Sequence, residues 1–253
     1  MIATSSVAAD LPSRKTAATP AASVAYNWDG FYIGANLGGA WGRVKEGLGS
    51  WRDINGNYAS RLSDGNASGL IGGLGVGFNI QSSSLVYGLE FDTSISRLVA
   101  KGQANYDFIS NSVTSPLLSR TAINNVSSGR LRLGYAVDDY LVFGTAGIAA
   151  GQIRRKITQG YSGVEWLWLD KGESNSSTDV KVGWTLGGGV EKALTNNLTA
   201  RLQYLYTDLG SVSYAYRGYP YDLLNEGTQK IKVNQSAVTI GLNYNFGAPS
   251  NAR

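Results

Sequence analysis

The chain has 253 residues, a formal net charge of +4 spread without a basic stripe, and neither Cys nor His. Without Cys there is no disulfide framework, thiolate metal site or Cys nucleophile, and without His the commonest general base and metal ligand are missing. Gly is plentiful at 33 residues, charged residues make up only 16%, and Tyr (15) and Trp (6) are abundant, a balance that points to an antiparallel all-β protein of many short segments.

Met1 to Ala9 ends in Val7-Ala8-Ala9 before Asp10, like the cleavage end of a secretory signal. The positive n-region is missing and the apolar core is short, so the stretch reads as a truncated signal; a plain disordered terminus is the alternative. Asp10 to Ala25 holds Pro12, Pro20, Arg14 and Lys15 without periodicity and reads as a flexible leader.

From there alternation marks eight candidate strands. The first, about Gly30–Val44, sets Phe31, Ile33, Leu37 and Trp41 against Gly34, Asn36 and Gly38. The second, about Ser68–Ile80, sets Leu70, Leu74, Val76, Phe78 and Ile80 against Gly69, Gly73, Gly75, Gly77 and Asn79. The third, about Leu85–Leu98, sets Leu85, Tyr87, Leu89, Phe91 and Ile95 against Glu90, Asp92, Ser94 and Ser96. In the fourth, about Asn124–Val137, Leu131, Leu133, Tyr135 and Val137 oppose Arg130, Arg132 and Gly134. The fifth, about Tyr140–Gln152, is too rich in Gly and Ala for its faces to be assigned. The sixth, about Asp179–Lys192, opposes Val180, Val182, Trp184, Leu186 and Val190 to Lys181, Thr185 and Glu191. The seventh, about Leu198–Leu209, opposes Leu198, Leu202, Tyr204 and Tyr206 to Arg201 and Gln203. The eighth, Ser236 to Phe246, opposes Val238, Ile240, Leu242, Tyr244 and Phe246 to Ala237, Thr239, Gly241, Asn243 and Asn245. Taken alone, this last stretch also reads as an ordinary edge strand.

Connections alternate in length. Those near Gln81–Ser84, Asp138–Asp139 and Ala193–Asn197 are tight turns, whereas Lys45–Ala67, Val99–Ile123, Arg154–Thr178 and Gly210–Ile231 are each on the order of 20 residues, long for a compact domain. No apolar run approaches the roughly 18 residues of a transmembrane helix. A transmembrane barrel needs none, and an even strand count, apolar outward faces, aromatic ends and loops that are short at one end and long at the other all fit it.

The opening Tyr26-Asn27-Trp28-Asp29-Gly30-Phe31-Tyr32-Ile33-Gly34, with Asp10-Leu11-Pro12 before it, resembles the start of the small outer-membrane barrels of alpha-proteobacteria, the outer-membrane immunogenic proteins. Thr239, Gly241, Tyr244 and Phe246 resemble the C-terminal assembly signal of bacterial outer-membrane proteins, although Gly247 to Arg253 follow. The resemblance implies an all-β, eight-stranded, antiparallel up-and-down transmembrane barrel in the outer membrane, with short periplasmic turns and four long extracellular loops. Residues 1–27 then form a signal remnant and periplasmic leader, 28–247 the barrel, and 248–253 a short tail. The resemblance further implies an abundant surface antigen of the opacity and porin-family type, sometimes linked to haem compounds or host binding. Without His, haem capture would rest on Tyr and aromatic stacking. Expected partners are outer-membrane lipid and lipopolysaccharide, the assembly machinery and host or surface ligands, with no nucleic acid, no cofactor and a monomeric state.

The inward faces carry the chain's charged constellation: Glu90, Asp92, Arg130 and Arg132 at similar depth, extended by Lys181, Glu191, Arg201 and Gln203. An eight-stranded barrel is just wide enough for side chains to fill, and charges buried there should be paired. The bland reading is packing by ion pairs; the functional one is a gate on a narrow water or ion path. The Gly73–Gly77 run lacks a following Gly-Lys-Ser/Thr, so phosphate cradling is rejected and the glycines are read as room for the Arg side chains. Trp166 and Trp168 in the third long loop, and Tyr214, Tyr216, Tyr219 and Tyr221 in the fourth, are candidate surface-binding anchors; in both loops the alternative is strands continuing outward with aromatics on one face. An enzyme is disfavoured because the outer-membrane hydrolases it would resemble depend on His-containing sites. A low-conductance pore and a soluble lipid-binding barrel remain the rivals.

Overall fold

Sustained alternation gives each segment two faces suited to different surroundings, and an antiparallel sheet separates them. The computed structural model describes residues 26–46, 65–108, 113–159, 174–217 and 226–247. Its strands are β1 (Gly30–Glu46), β2 (Gly65–Ser82), β3 (Leu85–Phe108), β4 (Val113–Val137), β5 (Tyr140–Gln159), β6 (Ser174–Ala193), β7 (Leu198–Arg217) and β8 (Glu226–Asn245). Each pairs antiparallel with the next, and β8 closes on β1, so the last strand is no edge: it is paired on both sides. Its ladder runs on to Phe246, whose N–H donates to the Phe31 carbonyl at 2.8 Å. Ser83 and Asp138 take left-handed backbone, φ 57° and 51°, in the two tightest turns.

The strands extend further toward the long connections than the apolar pattern indicates. β3 and β4 reach Phe108 and Val113, and β7 reaches Arg217. Backbone hydrogen bonding does not require apolar side chains, so the ladder continues where the alternation stops, with Lys101 opposite Arg120 and Gln103 opposite Leu118. A one-residue register shift beside Asn124 reverses the faces of β4, which turns Ile123 as well as Val126 inward.

Outward positions are apolar and open: Leu70, Ile95, Leu131, Ile148, Val182 and Ile240 are each 66–74% exposed. So large an apolar surface is stable only against lipid. The fifth strand has a clear split, with Leu141, Phe143 and Thr145 inside and Val142 and Ile148 outside.

The interior is layered rather than polar throughout. Near the tight turns, Trp28, Val86, Leu141 and Phe143 form an apolar cluster with Tyr26 and Ala136 against it. Toward the long connections, Ile71, Leu98, Ile123, Ile153, Leu209, Ile231 and Val233 belong to a second one. Charged and polar side chains occupy the level between. Tyr26 and Asn27, which the sequence assigns to the leader, already lie at the mouth. The Trp28 N–H donates to Gln81 Oε1 at 2.7 Å, and the Gln81 N–H donates to Asp29 Oδ1. Gln81→Ala removes the acceptor for the Trp28 N–H and should cost about 1 kcal/mol. Faster chymotryptic cleavage at Trp28 of the folded protein in detergent is the expected sign; an unchanged rate would show that Gln81 does not hold the segment.

Candidate functional site in the barrel interior

β3 and β4 place Glu90 directly opposite Arg130, and β6 and β7 place Glu191 opposite Arg201. These two acid–base pairs lie on opposite sides of the barrel, and Arg132 reaches between them. Glu90 pairs with Arg130 at 3.1 Å, Arg132 at 3.2 Å and Arg201 at 2.9 Å. Glu191 pairs with Arg132 at 2.5 Å and Arg201 at 3.1 Å. Asp92 pairs with Arg130 at 2.5 Å and accepts from the Ser128 hydroxyl at 2.7 Å. Three guanidinium groups thus meet three carboxylates, and the layer is formally neutral.

Neutral groups satisfy the remaining oxygens. The Tyr32 hydroxyl donates to Glu90 Oε1 at 2.6 Å, Thr199 Oγ1 donates to Glu191 Oε1 at 2.5 Å, and Asn243 Nδ2 donates to the same oxygen at 2.6 Å. The Arg132 guanidinium stands 4.0 Å from the centre of the Phe143 ring and 5.8 Å from that of Tyr32, and Arg201 lies 5.2 and 5.3 Å from the same two rings. Buried ion pairs hold only when their other hydrogen-bonding positions are also filled, and this layer fills most of them.

Glu90, Asp92, Arg130, Arg132, Glu191 and Arg201 come together. Lys181 does not: it sits on the inward side of β6 ten residues from Glu191, opposite Gly151 and half-buried, and has no ion pair among the described residues. Gln203 is buried beyond Arg201, with its Nε2 unpartnered. Inward parity places Tyr32, Thr199 and Phe143 in the layer as well. Tyr32 was legible from its position between the outward Phe31 and Ile33. The second-strand glycines make room for Tyr32 and for close approach of β3, not for Arg: a Cβ on Gly77 would strike the Tyr32 ring, and one on Gly73 would strike Ser94.

At the C-terminal end Thr239 faces inward and is buried, and Gly241 lies against the Ala35 carbonyl. Tyr244 and Phe246 face outward with ring centres 5.0 Å apart, and Phe246 meets Phe31 at 5.8 Å. Tyr214 and Tyr216 belong by backbone to β7 rather than to a loop. Trp166, Trp168, Tyr219 and Tyr221 lie outside the described residues.

Among the described residues no group of three His, Cys, Asp or Glu could hold a metal ion. Between the charged layer and the upper apolar cluster lies a cavity of about 50 Å³, lined by polar groups including Asp92, Ser128, Arg130, Gln203 and Gln235.

A closed, lipid-facing barrel whose eight strands are joined in sequence defines an integral outer-membrane β-barrel. Residues 15–246 match the family model described as outer membrane protein beta-barrel domain. The chain is 34% identical over 250 residues, 97% of its length and 95% of the relative's, to the 31 kDa outer-membrane immunogenic protein of Brucella melitensis. It is 28% identical to the 22 kDa outer membrane protein of Rhizobium leguminosarum, over 87% of this chain and 79% of that one. Among solved structures, OprG from Pseudomonas aeruginosa aligns with a TM-score of 0.49 at 13% identity, over 87% of this chain and 97% of its own. The chain belongs to the outer-membrane β-barrel family of alpha-proteobacterial outer-membrane immunogenic proteins, and its location is the outer membrane.

Proposed function

We propose that the protein serves the envelope structurally and as a surface-interaction protein of the antigen and adhesion type, its interior closed to solutes and without catalytic activity. The observation that carries this reading is the neutral layer of Glu90, Asp92, Glu191, Arg130, Arg132 and Arg201 between two apolar clusters. Side chains committed to filling and neutralising the interior are not arranged to pass a solute, so interaction falls to the segments joining the strands on the outer side. Residues 160–173 and 218–225 carry Trp166, Trp168, Tyr219 and Tyr221, residue types that anchor interfaces. Replacing each segment with a Gly/Ser linker of equal length tests this. Loss of attachment of expressing cells to host-cell surfaces, and of binding by antibodies raised against whole cells, is expected at unchanged barrel content. Retention of both would refute the surface-interaction reading.

A second reading, a low-conductance pore for water, ions or small solutes, is favoured by the 50 Å³ cavity and by the unpartnered Gln203 Nε2 and Gln235 Oε1. Such polar space is large enough for water.

The same proposal gives Thr239, Gly241, Tyr244 and Phe246 a role in recognition by the assembly machinery. Phe246 is 55% exposed and supports little of the packed interior. Phe246→Ala is therefore expected to lower surface-exposed protein in cells several-fold, while refolding into detergent is nearly unchanged. Normal insertion in cells would remove the residue from the assembly signal.

A further inference from the structure

We propose that the outward face of β3, β4 and β5, above the lipid band, is a binding site for the phosphorylated, acidic saccharide headgroup of the outer-leaflet glycolipid. The register sets Lys101 directly opposite Arg120, and Arg120 directly opposite Lys156. All three side chains are exposed and point outward, as are Arg97 below Lys101 and Arg154 below Lys156. None of these five cations has an ion pair among the described residues. Like charges directly opposite one another across strands are destabilising. Three in a row on adjacent strands therefore form a poor surface unless an anion lies over them.

Position selects the anion. The outward apolar run of β3 extends from Leu85 to Ile95, with Leu89 and Phe91 at its middle. Lys101 lies ten residues beyond Phe91, roughly 25 Å higher along the barrel axis at the usual rise and tilt of such strands. Half the hydrocarbon thickness is about 15 Å, so the row stands in the headgroup zone, and Arg97 and Arg154 stand nearer its base. Ser176 on β6 stands opposite Lys156 and adds an exposed hydroxyl at the end of the row. Two tiers of cations, roughly 10 Å apart in height at the same rise and tilt, suit a headgroup that presents phosphates on sugar rings. A simple anionic phospholipid has no saccharide to reach the upper tier.

The full-length protein, reconstituted in phosphatidylcholine vesicles, should be titrated at about 0.15 M salt with rough-type lipopolysaccharide, with the same material after dephosphorylation, and with phosphatidylglycerol. The native protein is expected to prefer the phosphorylated glycolipid, and K101Q/R120Q/K156Q should weaken that binding at least about tenfold. Dephosphorylation should weaken the native protein but not the variant. Lys192→Gln, an exposed cation at the opposite end, should change nothing. Urea unfolding supplies a second sign: in phosphatidylcholine alone the triple variant should be as stable as native or more so, and with the glycolipid present it should be less stable. Undiminished glycolipid binding by the triple variant, or equal native affinity for phosphatidylglycerol, would overturn the site.

Discussion

Glu90→Ala is expected to destabilise the barrel by about 3–5 kcal/mol in lipid-vesicle unfolding, the loss found when one member of a buried ion pair is removed. Glu90 accepts contacts from Arg130, Arg132 and Arg201, and its side chain is 3% exposed. Its removal leaves Arg130 with Asp92, and Arg132 and Arg201 sharing Glu191. Three positive charges would then face two negative ones within a buried layer. Adding Arg132→Ala restores the balance, so the double variant should lose less than the sum of the single losses, by on the order of 1–3 kcal/mol. Additive losses would show that the two residues do not interact. Arg132 also serves Glu191, so its own deletion should match that of Glu90 in severity.

Leu131→Arg is expected to cost about 2–4 kcal/mol, the penalty for a cation on the lipid face near the midplane. Register decides the choice of site. Leu131 pairs with Leu89 at the middle of the apolar band, whereas Leu133 pairs with Tyr87, beside the aromatic side chain of Tyr135 near the turns. A cation at Leu133 can reach the interface by snorkelling and should cost less. Arg132→Leu changes the residue between them without adding charge to lipid, so its cost should come from the ion layer alone and be insensitive to bilayer thickness. Equal penalties for a cation at Leu131 and at Leu133 would contradict the depth assigned to them.

Much of this architecture is written in period-two alternation, because each residue in a closed barrel answers to lipid or to the interior. Glu90, Asp92, Arg130 and Arg132 stand out because they interrupt apolar strands on a single face. What lies across the barrel is not legible in that way. The contact of Arg132 with Glu191 spans |i−j| = 59 and depends on closure and stagger, which no local pattern encodes. The fifth strand resisted reading because Gly144, Ala146, Gly147, Ala149 and Ala150 differ too little in polarity to mark a face. The upper apolar cluster was hidden by the β4 register shift, which reverses the alternation between Val126 and Ile123. Trp28, in the motif that opens the barrel, packs inside the mouth two residues before β1 begins, since an aromatic before the first strand can turn into the barrel as readily as out of it.

The proposed plug runs from the Trp28 cluster, through the charged layer, to the cluster around Leu98 and Ile153. Single-channel recording of the native full-length protein in planar bilayers, with insertion verified by heat-modifiable gel mobility, tests it most directly. The layered interior predicts inserted protein with no steady, reproducible conductance step. A uniform step recurring from insertion to insertion would contradict it and make the protein a pore.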